Sequence, residues 1–190
     1  HAYTTRELDP LVPAKFTTVS GKADKDITLA VYGAGDSNAF GLGAVVRLAG
    51  GRAVPSTVVL PPGVAVFFRN DDPFIHHITG PDLERDLKPG ESHKIVPKSK
   101  GVNAFGDTLI PSVKAWVVVE DGVIANRHLQ VDGTAKLSFE GGPAEYTIKA
   151  FFEGTVRATS SVLKVPATGV LEVKEPLVVG SAPAPSASGK

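Results

Sequence analysis

The chain has no cysteine and no methionine. Without cysteine there is no disulfide, thiolate nucleophile, iron–sulfur cluster or cysteine-ligated zinc. A blue-copper centre is excluded too, since it needs a thiolate, and its usual weak axial methionine is also missing. An excess of one charge is lacking as well: 20 basic and 20 acidic residues leave a formal net charge of zero. No global field attracts nucleic acid or an anionic membrane, so neither is an expected partner. No apolar run approaches the ~20 residues of a membrane-spanning helix, so no transmembrane segment is expected. Neither Gly-x-Ser-x-Gly nor His-Glu-x-x-His occurs, so no catalytic residue is assigned and a non-enzyme is favoured.

A translated chain begins with methionine, so His1 reads as a processed terminus. Removal of a secretory signal peptide is the simplest expectation, with a periplasmic or extracellular address. A trimmed tag is the bland alternative.

What is present is 20 Gly, 15 Pro and 42% hydrophobic residues in a chain of 190. Short strands and many turns produce that mix. Residues 1–26 are polar, with Pro10 and Pro13 opposing a helix. Residues 27–32 alternate like a strand with one buried face. The stretch from Gly33 to Gly43 resembles a nucleotide loop only superficially. Asn38 stands where the third glycine belongs, and no Gly-Lys-Ser/Thr follows. A flexible connection is the expectation there. Residues 44–48, 56–60 and 64–68 read as strands, the last buried on both faces. The charged stretch 82–100 reads as a solvated edge. Residues 114–119, 135–139, 146–152, 162–165 and 170–173 complete the strands, and no segment has helical periodicity. The expected organisation is an extended segment at 1–26, a β-sandwich at 27–119, a small β-module at 120–176 and a Pro/Ala/Ser-rich tail at 177–190. The composition of that tail favours disorder.

Several motifs fall into one frame. Pro61-Pro62-Gly63 precedes a strand ending in Phe68-Arg69-Asn70-Asp71-Asp72, and His76 follows. Lys88-Pro89-Gly90-Glu91-Ser92 forms a turn, and Lys114 to Val119 is a Val-rich strand carrying Trp116. This order resembles the cupredoxin-like (plastocyanin-like, methylamine-utilisation-type) domains of secreted bacterial proteins. Further on, Ala144-Glu145-Tyr146-Thr147-Ile148-Lys149-Ala150-Phe151-Phe152-Glu153 resembles the signature of a carboxypeptidase-regulatory-like β-module, with Phe for its Trp and its His. The resemblance spans roughly residues 44–173. It implies an all-β fold, a cupredoxin-like Greek-key β-sandwich with a small additional β-module. It also implies a ligand frame: the family's copper-binding Cys, His and Met fall on Asp107, Ile110 and Val113, and His76 alone keeps a ligand residue type.

The metal candidates are therefore His1 and His76, with His77, His93, His128 and Asp107 as lesser ones. A mature His1 offers its amine and ring Nδ1; with the His76 imidazole this makes a three-nitrogen brace that suits Cu(II). The simpler reading packs His76 beneath the loops and leaves His77 at the surface, since neighbours on a strand face opposite sides. Asp107 can ligate a metal or cap its own turn. Ile110 and Val113 read as apolar filling of a pocket that unpaired polar groups would make costly. Two functions stay open. One is a secreted binding or structural/assembly protein that has no cofactor and does not transfer electrons. Its loops, sheet edges or tail would contact a protein partner or its own copies. The other is a mononuclear type 2 copper protein using His1 and His76, for copper carriage or oxidative chemistry.

Overall fold

The computed structural model describes residues 4–11, 15–16, 26–34, 40–128, 135–141, 145–164 and 178–179. In chain order the strands are β1 (Thr4–Leu11), β2 (Lys15–Phe16), β3 (Thr28–Tyr32), β4 (Ala44–Ala49), β5 (Arg52–Val54) and β6 (Thr57–Leu60). Then come β7 (Val66–Asn70), β8 (His76–Gly80), β9 (Leu83–Leu87), β10 (Ser92–Ile95), β11 (Gly101–Asp107) and β12 (Lys114–Val119). The last are β13 (Val123–His128), β14 (Ala135–Gly141), β15 (Glu145–Phe152), β16 (Thr155–Thr159), β17 (Leu163–Lys164) and β18 (Val178–Val179). No α-helix occurs among the described residues, so none is long and apolar enough to cross a membrane. The fold is all-β.

Residues 44–119 make a two-sheet sandwich. One sheet has the order β10-β7-β4-β5 and the other β6-β12-β11-β8-β9. Pairing is antiparallel except for β4 with β7 and β6 with β12. Alternation places one face of each strand inside: in β4, Val46 and Leu48 are buried while Val45 and Arg47 are exposed. Val46, Leu48, Val66 and Phe68 from the first sheet meet Val58, Leu60, Ile78, Phe105, Val117 and Val119 from the second. The Phe68 and Phe105 rings, centroids 5.2 Å apart and tilted by 58°, join the two sheets. Full burial of such a side chain contributes about 1.5–3 kcal/mol.

A third sheet, β13-β3-β15-β16, lies against the second. Every residue of β6 is buried because this strand is covered on both sides. Val58 and Leu60 point into the sandwich, while Val59, with Val118 of β12, packs on Ala30, Val123 and Phe151 of the third sheet. Hydrogen bonds fix the contact. The Thr28 hydroxyl donates to the Thr57 carbonyl at 2.7 Å, and the Gly154 amide donates to the Thr57 hydroxyl at 3.1 Å. The β15–β16 turn carries positive φ at Glu153 (48°) and Gly154 (75°). A Cβ on Gly154 would meet Trp116 and Val102 at 3.0 Å, so glycine lets this turn lie on the indole.

Two expectations change. Residues 28–32 were expected in the 27–119 sandwich with one buried face. Instead β3 pairs with β13 and β15 as an inner strand of the third sheet, and Thr28 to Val31 are buried throughout. Residues 64–68 were expected to be buried on both faces. In β7 only Val66, Phe68 and Asn70 turn inward, and Phe67 and Arg69 face away from the core. The stretch 82–100 holds two strands, β9 and β10, and they are sheet edges, as its charge requires. The expected strand at 170–173, residues 35–39 of the glycine-rich loop and the tail after 179 lie outside the described residues.

Candidate functional site

The chain between β7 and β8 is shaped by Asn70. Its side-chain oxygen accepts the Asp72 amide at 2.8 Å, an Asx turn, and its Nδ2 donates to the Phe74 and Leu87 carbonyls, each at 2.8 Å. Asp71 faces out between Arg47 (2.6 Å) and Arg69 (2.9 Å). Asp72 turns in. Its carboxylate accepts the amides of Gly50 (2.6 Å) and Gly51 (3.0 Å). These two residues form the β4–β5 hairpin turn with φ of 62° and 70°, and a two-residue type I′ turn requires that left-handed pair. The turn thereby aims two donors at one carboxylate.

Across the sandwich end, Asp107 terminates β11. Its Oδ1 accepts the amides of Leu109 (2.7 Å), Ile110 (3.2 Å) and His77 (3.2 Å), which closes the loop after β11 and ties it to β8. The loop also docks on the hairpin, where the Ser112 hydroxyl donates to the Gly51 carbonyl at 2.6 Å. Val113 is buried in the sandwich core and Ile110 packs against it.

His76 sits between the two acids with no exposed surface. Its Nδ1 is 2.5 Å from Asp107 Oδ2 and its Nε2 is 2.8 Å from Asp72 Oδ2. An ionised carboxylate has no proton to give, so each ring nitrogen facing one must donate. With both acids ionised the ring is an imidazolium and one negative charge remains in excess. Five backbone amides face that excess, two on Asp72 and three on Asp107. Burial pushes the Asp72 carboxyl up, but the Gly51 amide, His76 and the Gly50 amide outweigh it and hold its pKa below the usual carboxylate value.

A copper ion needs a free ring lone pair and further ligands converging on one point. Here both nitrogens are engaged. They point away from each other across the ring, so Asp72 and Asp107 cannot join His76 around a single ion. Among the described residues no group of three or more His, Asp or Glu side chains is disposed to hold a metal. The described residues therefore do not fit a copper centre as arranged. His1 lies outside them.

The other candidate histidines sit apart from this cluster. His77 faces the opposite side of β8, with Nδ1 2.5 Å from Asp86. Asp86 raises its pKa, opposed by some desolvation and helped by Glu84. His93, on β10, lies beside Phe68 and Arg85; burial lowers its pKa and Arg85 adds to that. His128 Nε2 is 2.7 Å from Asp26, whose carboxylate also accepts the Ser56 hydroxyl. The sequence reading missed Asp72 and the Gly50-Gly51 pair as members of the site. Two adjacent glycines between strand patterns signal a type I′ turn, but nothing in the sequence says which carboxylate its amides face.

No protein-family model matches the sequence, and no curated protein does. Several solved structures are similar to part of the chain. One is a Cu-containing nitrite reductase from Thermus scotoductus SA-01, 22% identical over 42% of this chain and 23% of that one, TM-score 0.38. The chain thus spans less than a quarter of that protein. Another is an amicyanin from Paracoccus versutus, 16% identical over 41% of this chain and 81% of that one, TM-score 0.38. A third is a purple cupredoxin from Nitrosopumilus maritimus, 21% identical over 40% and 99%, TM-score 0.37. At these scores the likeness says nothing about what this chain binds, and the all-β sandwich stands on its own strand order.

Proposed function

We propose that this chain is a secreted, cupredoxin-like binding or structural/assembly protein that does not transfer electrons. The sandwich of residues 44–119 is its principal domain, and residues 120–176 are the accompanying carboxypeptidase-regulatory-like β-module, whose sheet takes in β3. One observation carries the reading: both ring nitrogens of His76 face buried carboxylates, and one of them, Asp107, stands where the resemblance places a cysteine. The Asp72–His76–Asp107 cluster then acts as a polar lock that holds three loops together at the sandwich end. The names of the similar structures speak of copper in those proteins. Here a His1–His76 copper site would require His76 to release Asp72 or Asp107.

The test is a Cu(II) titration, followed by EPR, of protein bearing a native His1 terminus. Binding no tighter than that of a short peptide with the same first residues supports the reading. A type 2 spectrum that disappears in the His76→Gln variant overturns it.

A further inference from the structure

Two uncovered sheet faces of the sandwich carry opposite charge. On the outer face of the first sheet, the strand register lines up Lys94, Phe67 and Val45 in one row. Ser92, Arg69, Arg47 and Val54 form the next row. Arg52 follows at the hairpin. Val45 and Val54 are 43% and 44% exposed. One acid, Asp71, lies among these cations, bound to Arg47 and Arg69. The face therefore has four cations against one anion, with bulky apolar side chains between them.

The outer face of the second sheet is acidic along one edge. The third sheet covers its β6–β12 side. On the remaining side the edge strand β9 presents Glu84 and Asp86, whose side chains are 78% and 66% exposed. Opposite them on β8 stand Thr79 and His77, whose ring lies between the two acids, 2.5 Å from Asp86 and 3.5 Å from Glu84, and Gly106 and Ala104 continue the surface on β11. Lys114 lies at the far, β12 end of this row. The face is smooth, built of small residues, and acidic along its edge.

From this complementarity we infer that the basic face of one copy stacks on the acidic face of the next. Phe67, Val45 and Val54 would sit over Ala104, Gly106 and Thr79, and Lys94 and the arginines would meet Glu84 and Asp86. Sheets packed face to face lie about 10 Å apart, which leaves room for one layer of side chains. The balanced total charge means that copies do not repel one another at long range. The two surfaces differ, so the contact is heterologous and adds copies head to tail rather than pairing two about a twofold axis. The inference rests on the assembly reading above and names the partner as a second copy of this chain. A face of four short strands is smaller than the ~800 Å² per partner of a stable complex, so the contact is weak and salt-sensitive.

Sedimentation of the full chain tests it. Average mass should rise with protein concentration at about 20 mM salt and return to the monomer near 0.5 M, where screening is nearly complete. Lys94→Glu and Glu84→Lys alter exposed side chains and should leave the fold and melting temperature unchanged. Each variant alone should stay monomeric, and an equimolar mixture should associate, because one native pair and one charge-swapped pair are then available. A monomer under all conditions, or association indifferent to salt, overturns the inference. So does association abolished by Lys94→Glu but unaffected by Glu84→Lys, which would assign the basic face to a different acidic surface. Any of these results leaves the copper titration of the functional proposal as it stands.

Discussion

Replacing Asp107 with alanine separates the lock from a merely filled loop. The carboxylate serves the amides of His77, Leu109 and Ile110 through one oxygen and the His76 ring through the other. Removing one member of a buried charged pair costs about 3–5 kcal/mol, because the other is left without its partner. Amides left unsatisfied cost up to about 1–3 kcal/mol each where water cannot reach them. Leu109 is 62% exposed, so solvent can serve its part of the loop, and the pair dominates. A loss of about 3–5 kcal/mol is a large share of the roughly 5–15 kcal/mol that domains possess. At about 2–4 °C per kcal/mol for chains of this size, the melting temperature should fall by roughly 6–20 °C. Urea unfolding followed by Trp116, the only tryptophan, reads the loss directly. The midpoint should drop while the slope stays constant. Asp107→Asn keeps an oxygen for the three amides but takes the carboxylate from His76, so it should cost less than alanine. An alanine variant that loses under about 1 kcal/mol would refute the lock, since the loss of even one buried hydrogen bond to a charge costs more. Equal losses for alanine and asparagine would refute the capping role.

Further outcomes follow from the same geometry. The pKa of Asp72 is lowered in the folded state. Its contribution is therefore fully present above the unfolded value of about 4 and is lost as pH falls through the folded value. Asp72→Asn should show a shallower loss of stability on acidification than wild type, and identical acid limbs would contradict this. The pKa of His77 is raised by Asp86, so its contribution is full below about pH 6.5 and fades as pH rises through the folded value. His77→Gln should flatten stability from neutral pH upward and leave the acid limb alone. Gly154→Ala places a Cβ at 3.0 Å from Trp116 and Val102 in a left-handed backbone. It should cost about 1–3 kcal/mol and shift Trp116 fluorescence, whereas an unchanged spectrum would mean that the turn does not rest on the indole.

Much of the sandwich was legible because its strands alternate. Val46 and Leu48 against Val45 and Arg47, or Ala115 and Val117 against Lys114 and Trp116, announce which face turns inward. The opposite facing of His76 and His77 followed from strand geometry alone. β3 was misplaced because alternation gives no partner: Thr28 to Val31 form an inner strand of the third sheet, and only long-range pairing with β13 and β15 reveals it. The site was half legible. Position in the resembled frame marked His76 and Asp107, and capping was one of the two roles open to Asp107. Asp72 stood only in the motif that precedes His76, yet its carboxylate reaches the Gly50-Gly51 turn more than twenty residues back. Such a contact depends on how β4–β5 lies beside the end of β7, and no local pattern encodes that.

The central claim is that His76 has no ring nitrogen to offer a metal. Imidazole ¹⁵N NMR of histidine-labelled protein reads both nitrogens at once, before and after anaerobic addition of Cu(I), which is diamagnetic. The account predicts two hydrogen-bonded His76 nitrogens whose shifts do not change with one equivalent of metal. A His76 nitrogen that moves to a metal-bound shift, with Asp72 or Asp107 released, would contradict it.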